Sequence, residues 1–287
     1  MPATLLVYRQ LFTWLQQHCG YQDLRHLVTL AWMVLGLIGS ERLNLTAWEA
    51  HIRSRAQQAQ SSQRRWHRFL NNPRIRVPAL YVPLLLGALR QWQGRRLYLV
   101  LDTTVLWNRF CMVHLSVVCC GRAVPLLWKV LEHNSAAVAF PAYRGLLQLA
   151  QRILCTFPDV MLLADRGFAN QDLLQWLQQS SWHYCLRLPG DVSIHGPYRY
   201  PVEVRQLWPK KGEAKLVRDV RLWSQGTYCS HLALANVRGA REPWAVITDE
   251  TPSLQTFWQY SLRFAVEELF LDSKSGAFEL TAVRLRS

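Results

Sequence analysis

The sequence predicts a mixed α/β fold, preceded by an all-helical region and interrupted by a β-rich insertion. Three observations carry that reading. Up to about Gln93, apolar residues recur at helical spacing. From Arg95 onward, short β-prone apolar runs alternate with amphipathic helices in the order β-β-β-α-β-α-β. From Val192 to Thr248 strand alternation continues alone, broken by glycine and proline. Half of the 287 residues are hydrophobic, enough for one sizeable domain or two smaller ones. The expected division is a helical region over 1–93, the first part of the core over 94–190, a β insertion over 191–250, and a helix completing the core over 251–287.

In the helical region Leu5, Leu11, Phe12 and Leu15 recur at helical spacing, and the run from Leu27 continues the pattern. A further helix starts at Asn44 or Thr46. The stretch SSQRRWHRFLNNPRI then packs Arg64, Arg65 and Arg68 around Trp66 and Phe69. Met1 to Arg90 carries eleven arginines against three acids, and aromatics interleave with them. That pattern favours a nucleic-acid-binding region over a solvated basic face.

Arg95 opens the sheet. RRLYLVLDTT is an apolar strand ending in Asp102, and the two strands that follow turn at Gly121 and Arg122. Short turns make these three strands antiparallel. A helix over Pro141–Thr156, the apolar strand VMLLA ending in Asp165, a helix capped by Asn170, and the strand WHYCLRL complete the pattern. The crossovers make these later strands parallel to the first. Thr251 and Pro252 read as N-cap and first residue of a long helix.

The formal net charge is +14, and 28 of the 33 basic residues are arginine. Such a surplus favours a polyanionic partner, nucleic acid first. Guanidinium groups match phosphate in two-pronged geometry. Arginine enrichment alone also follows from a GC-rich genome. The seven cysteines include no C-x-x-C pair and read as small buried thiols in a reduced compartment. No export signal stands out, and the run Leu27 to Ile38 is too short to span a bilayer. The expected location is cytoplasmic.

Asp102 and Asp165 each follow an apolar strand. Open α/β sheets collect ligands at the carboxyl ends of neighbouring parallel strands. Two carboxylates held close on apolar supports repel unless a cation lies between them, and magnesium suits clustered oxygens. Two-metal sites hold their ions about 4 Å apart and serve phosphodiester chemistry. The segment YSLRFAVEELFLDSK offers a third acid. At about 100° per residue, Tyr260, Arg263, Glu267 and Lys274 fall within roughly 60° of one another. Glu268 lies about 100° from Glu267, and Leu262, Ala265, Val266 and Leu269 form an adjoining apolar stripe. Periodicity alone leaves a solvated, charge-paired surface helix equally open.

The spacing Tyr260-x2-Arg263-x3-Glu267-x6-Lys274 resembles the signature of the insertion-sequence-four family of bacterial DDE transposases. LDTT at Asp102 and ADRGF at Asp165 resemble that family's first two acidic motifs, and RRWHRFLNNPRI resembles its arginine-rich helical segment. The resemblance implies a ribonuclease H-like core with a β insertion. It implies Asp102, Asp165 and Glu267 as a catalytic, metal-binding triad holding two Mg2+ ions, with Mn2+ as a substitute. It also implies Tyr260, Arg263 and Lys274 as contacts to DNA phosphates. Trp244 of WAVIT resembles a tryptophan that stacks on a flipped base, its alternative being a buried strand residue. The implied partners are double-stranded DNA, at terminal inverted repeats and at the target, and a second copy of the chain. The implied chemistry is sequential phosphoryl transfer: hydrolysis at the element's end, then attack by the freed 3′-hydroxyl. Members usually continue well beyond the lysine, whereas this sequence stops at Ser287. A truncated copy is expected on that ground, with an inactive DNA-binding remnant as the alternative.

Overall fold

The computed structural model describes residues 2–20, 23–52, 59–196, 200–223 and 228–276. The chain divides into two compact units: Met1–Gln91 with Leu271–Ser287, and Trp92–Phe270.

Among its described residues the first unit is helical: α1 (Pro2–His18), α2 (Leu24–Ser40), α3 (Leu45–Trp48), α4 (Ala59–Leu70) and α5 (Val77–Leu89). Asp23 caps α2, and Asn44 caps α3 by accepting from the Thr46 amide at 2.9 Å. Leu15, Cys19, Leu27, Ala31 and Leu80 form one buried cluster, and Met33, Trp48, Trp66 and Phe69 a second. At Gly36 of α2 a Cβ would stand only 2.6 Å from the Trp48 Cβ, so the indole root lies directly on the helix backbone. Trp66 and Phe69 are 2% and 8% exposed. This corrects the expectation that these aromatics interleave with arginine on a binding surface. They face the core, because positions 62, 66 and 69 of α4 share its buried side. Arg64, Arg65 and Arg68 remain exposed.

Among its described residues the second unit is built on one ten-stranded sheet of order β3-β2-β1-β4-β5-β10-β9-β8-β6-β7. Its first half comprises β1 (Leu97–Leu106), β2 (Phe110–Cys119), β3 (Arg122–Leu131), β4 (Val160–Ala164) and β5 (His183–Arg187). β1 to β3 run antiparallel, and β1, β4 and β5 run parallel. That order is compatible with the ribonuclease H-like core that the resemblance implies. The connections are α6 (Phe140–Ile153) and α7 (Gln171–Gln179), the latter capped by Asn170. The β2–β3 turn falls one residue before its expected place: Cys120 and Gly121 both take positive φ, as the tight hairpin turn that suits strand twist requires.

The inserted strands extend this same sheet: β6 (Ser193–His195), β7 (Val202–Glu203), β8 (Ala214–Leu222), β9 (Tyr228–Ala235) and β10 (Trp244–Thr248). β10 pairs antiparallel with both β5 and β9. All seven cysteines are free. Cys19, Cys111 and Cys185 are buried as expected, whereas Cys120, Cys155 and Cys229 are exposed.

The last helical segment departs from the sequence reading in two ways. Its cap is Ser253, not Thr251. Pro252 restricts Thr251 to extended backbone, while Ser253 and Thr256 exchange reciprocal cap bonds. The helix is also broken: α8 (Leu254–Ser261), a 3-10 turn over Leu262–Phe264, α9 (Ala265–Leu271), then a π turn over Asp272–Gly276. The apolar stripe packs as expected: Leu262, Ala265, Val266 and Leu269 lie against Val100, Met161, Leu163, Cys185 and Val246 of the sheet.

Candidate active site

The site follows from strand parity. Val100, Leu163, Cys185 and Val246 all face the cluster under α8 and α9. Side chains two residues along a strand share a face. Asp102, Asp165, Arg187 and Trp244 are each two residues from one of these, so one sheet face presents all four. The register brings the two aspartates together: Leu101 pairs with Ala164 in parallel, placing Asp102 and Asp165 next on adjoining strands. Asp102 does not end its strand, as the sequence suggested. β1 continues to Leu106 because its hairpin partner β2 keeps pairing there, whereas β4 stops at Ala164. Asp102 thus marks the end of the parallel pairing only.

The final helix lies over this face. Arg263, 5% exposed, donates from Nη1 to Asp102 Oδ2 at 2.9 Å and from Nη2 to Glu267 Oε1 at 2.7 Å. The Asp102 Oδ1 accepts from the Thr103 amide at 2.8 Å. The Tyr260 hydroxyl, fully buried, donates to Asp165 Oδ1 at 3.2 Å. One guanidinium therefore spans the first and third acids, and a phenol holds the second. Glu268 points elsewhere, pairing with Arg122 at 2.9 Å between exposed side chains. Lys274 lies in the π turn and groups with the helical unit.

Sequence reasoning missed two residues here. Arg187 of β5 is buried, approaches Asp165 Oδ1 at 3.9 Å, and donates to Glu242 Oε1 at 2.6 Å. Glu242 also accepts from Arg166 at 3.2 Å. A charged residue inside the otherwise apolar run YCLRL was the available signal, since arginine is rarely buried without a partner. Glu242 had no local signal; only the pairing of β10 with β5 brings it there. Trp244 packs edge-on against Tyr260, ring centroids 5.4 Å apart, and against Phe264 at 5.6 Å.

The electrostatics fit clustered acids. Burial raises the Asp102 pKa first; Arg263 opposes the rise, and Asp165 and Glu267 add to it. Burial works against the Arg263 charge, but Tyr260, Asp102, Asp165 and Glu267 outweigh it and push its pKa up. Hydrogen bonding by Arg187 holds Glu242 below the usual carboxylate range. Three carboxylates are the right donors for a hard divalent cation. Their arrangement does not yet cradle one, because the Arg263 guanidinium stands between two of them. Among the described residues, no three His, Cys, Asp or Glu side chains are grouped to hold a metal ion.

No curated protein matches the chain. A solved structure, the cryo-EM piggyBac transposase synaptic complex with hairpin DNA, is similar at 9% identity and a TM-score of 0.44, over 93% of this chain. The chain spans 65% of that structure's chain. A family model described as "Transposase DDE domain" matches residues 107–287. The match begins just after Asp102 and takes in Asp165, Arg187, Glu242 and the whole Tyr260–Lys274 segment. With well over half of the sequence matched, the chain belongs to the transposase DDE domain family.

Proposed function

We propose that this chain is a DNA transposase that cleaves and joins DNA at the ends of a bacterial insertion sequence, with Asp102, Asp165 and Glu267 as its catalytic acids. The observation that carries this reading is the convergence of those three residues: two at adjoining register on parallel strands, the third tied to the first through one guanidinium. The family generally uses divalent metal ions. Here two Mg2+ ions, with Mn2+ as a substitute, would be held by the three carboxylates. Such ions, when bound, activate water and offset charge on a phosphodiester.

The chain's own groups do the rest. Water adds to phosphorus and the bond to the 3′ oxygen breaks; the freed 3′-hydroxyl then attacks a second phosphodiester, whose own 3′ oxygen leaves as a new 3′-hydroxyl. Arg263 binds a phosphate that flanks the break, and Lys274 is a further DNA contact. Arg187 and Tyr260 both approach Asp165 Oδ1, fixing where its charge lies. Trp244, packed on Tyr260, closes that side against water or takes a displaced base. The exposed Arg64, Arg65 and Arg68 of α4 hold the DNA backbone. The partners are duplex DNA and a second copy of the chain, in the cytoplasm. Among the described residues no helix is long and apolar enough to cross a membrane.

The direct test is a cleavage assay on DNA spanning the flanks of the reading frame with Mg2+ present. Wild type should nick at a fixed position, and Asp102→Ala, Asp165→Ala and Glu267→Ala should bind the same DNA without cutting it. Unimpaired cutting by any of the three removes that residue from the triad.

A further inference from the structure

Arg263 occupies a seat that has two claimants. Its guanidinium bridges Asp102 and Glu267 at 2.9 and 2.7 Å. Charge alone makes that seat exclusive: a divalent ion beside the guanidinium would face a like charge within a few ångströms in a largely buried site. On the function proposed above, however, Arg263 also has a substrate phosphate to bind. It cannot grip a phosphate with the fork that now grips two carboxylates.

Three features mark the present seat as one the side chain can leave. The Arg263 Nε is buried and makes no hydrogen bond, so the seat satisfies only part of the fork. Arg263 belongs to the 3-10 turn over Leu262–Phe264, where the helix changes pitch between α8 and α9. Glu267, one of its two partners, has a side chain 57% exposed to solvent and open to other ligands. Phe264, 4.8 Å from the guanidinium carbon, supplies an aromatic face at the same turn.

We propose that Arg263 is an exchange cation: it holds Asp102 and Glu267 together until DNA arrives, then moves to a substrate phosphate and releases both acids to divalent metal. Metal loading is thereby coupled to DNA binding, and each strengthens the other by the same factor. This rests on the reading of the three acids as the metal site. The coupling gives the enzyme a reason not to hold a loaded, cutting-competent site away from DNA. Arg263 acts here as a positioning residue for the acids, and its effect is visible in binding without any reaction.

The test is Mn2+ binding to the full chain, followed by the paramagnetic resonance signal of the free ion. Without DNA, Arg263→Gln should bind Mn2+ about tenfold more tightly than wild type. Arg263→Lys, which keeps the charge but cannot fork across two carboxylates, should move in the same direction and guards against a fold effect of the glutamine. Arg166→Gln removes one positive charge next in sequence to Asp165 and should change affinity far less. Duplex DNA from either flank of the reading frame should raise the wild-type affinity towards that of Arg263→Gln. Equal affinities for wild type and both Arg263 variants, or an equal rise in Arg166→Gln, would overturn the exchange. No gain from DNA would overturn its coupling. Adding Glu267→Gln or Asp102→Asn to the Arg263→Gln chain should abolish the tight binding; if it persists, the acids are not the metal site, and the underlying reading fails separately.

Discussion

Two sets of arginines, one in each unit, stand in opposite settings. On α4 of the helical unit, Arg64, Arg65 and Arg68 stand exposed above a core of Trp66 and Phe69. In the sheet unit, Arg187 and Arg263 are 8% and 5% exposed and lie among carboxylates. Exposed arginines give a field that any phosphate backbone can use, screened by salt and indifferent to position. Buried, forked arginines have a defined geometry and named carboxylate partners. The first arrangement suits holding DNA; the second suits acting on one bond of it.

Damage to the two regions should therefore read out differently. The largest effect belongs to the buried acids. Asp102→Ala, Asp165→Ala or Glu267→Ala should lower cleavage on the order of a thousandfold while DNA affinity stays within a few-fold. A parallel collapse of DNA binding would erase the contrast between the units. Next, replacing Arg64, Arg65 and Arg68 together by alanine should weaken binding at low salt. The slope of log affinity against log salt should fall by about 0.9 for each phosphate that these arginines neutralise. Cleavage at saturating DNA should hardly change. An unaltered slope means that α4 does not touch the backbone.

Two smaller changes damage one unit without the other. Gly36→Ala forces a methyl against the Trp48 Cβ and should cost the helical unit about 1–3 kcal/mol, seen as an early transition in thermal unfolding. In the sheet unit, Arg96 forks onto Glu250 at 2.7 and 2.8 Å and also reaches Asp159. Those bonds hold the Glu250 pKa below its ordinary value, hydrogen bonding by Arg96 being the chief cause. A depressed carboxylate contributes stability above its unfolded pKa of roughly 4.3, and loses it as pH falls through the folded value. The sheet unit should accordingly lose stability on acidification below about pH 4.3, and Glu250→Gln should both cost about 1 kcal/mol at neutral pH and flatten that dependence.

Much of the site was legible because its signals are local. Apolar runs ending in Asp102 and Asp165 carry the sheet order with them, and a helical stripe of Leu262, Ala265, Val266 and Leu269 says which face packs. What the sequence hid depends on contacts across distant strands. Arg187 joins Asp165 only because β5 lies beside β4, and Glu242 joins Arg187 only because β10 returns next to β5. The break of the last helix at Leu262–Phe264 was hidden for another reason: the segment has no proline or glycine to announce it. Trp66 and Phe69 misled in the opposite direction, since aromatics between arginines read alike whether they face a base or a core. The resemblance implies a phosphate for Arg263, whereas its grip on Asp102 spans distant chain segments that no spacing rule connects.

The adjacent glutamates offer the most direct test of the central claim. Glu267 is tied through Arg263 to Asp102; Glu268 pairs with Arg122 among exposed side chains. Mg2+-dependent cleavage of flanking DNA should be measured for the two alanine variants side by side at matched DNA occupancy. Glu267→Ala is expected to cut nothing detectable, and Glu268→Ala to cut at near wild-type rate. Equal loss in both, or cutting by Glu267→Ala, would contradict the assignment of Glu267 as the third acid.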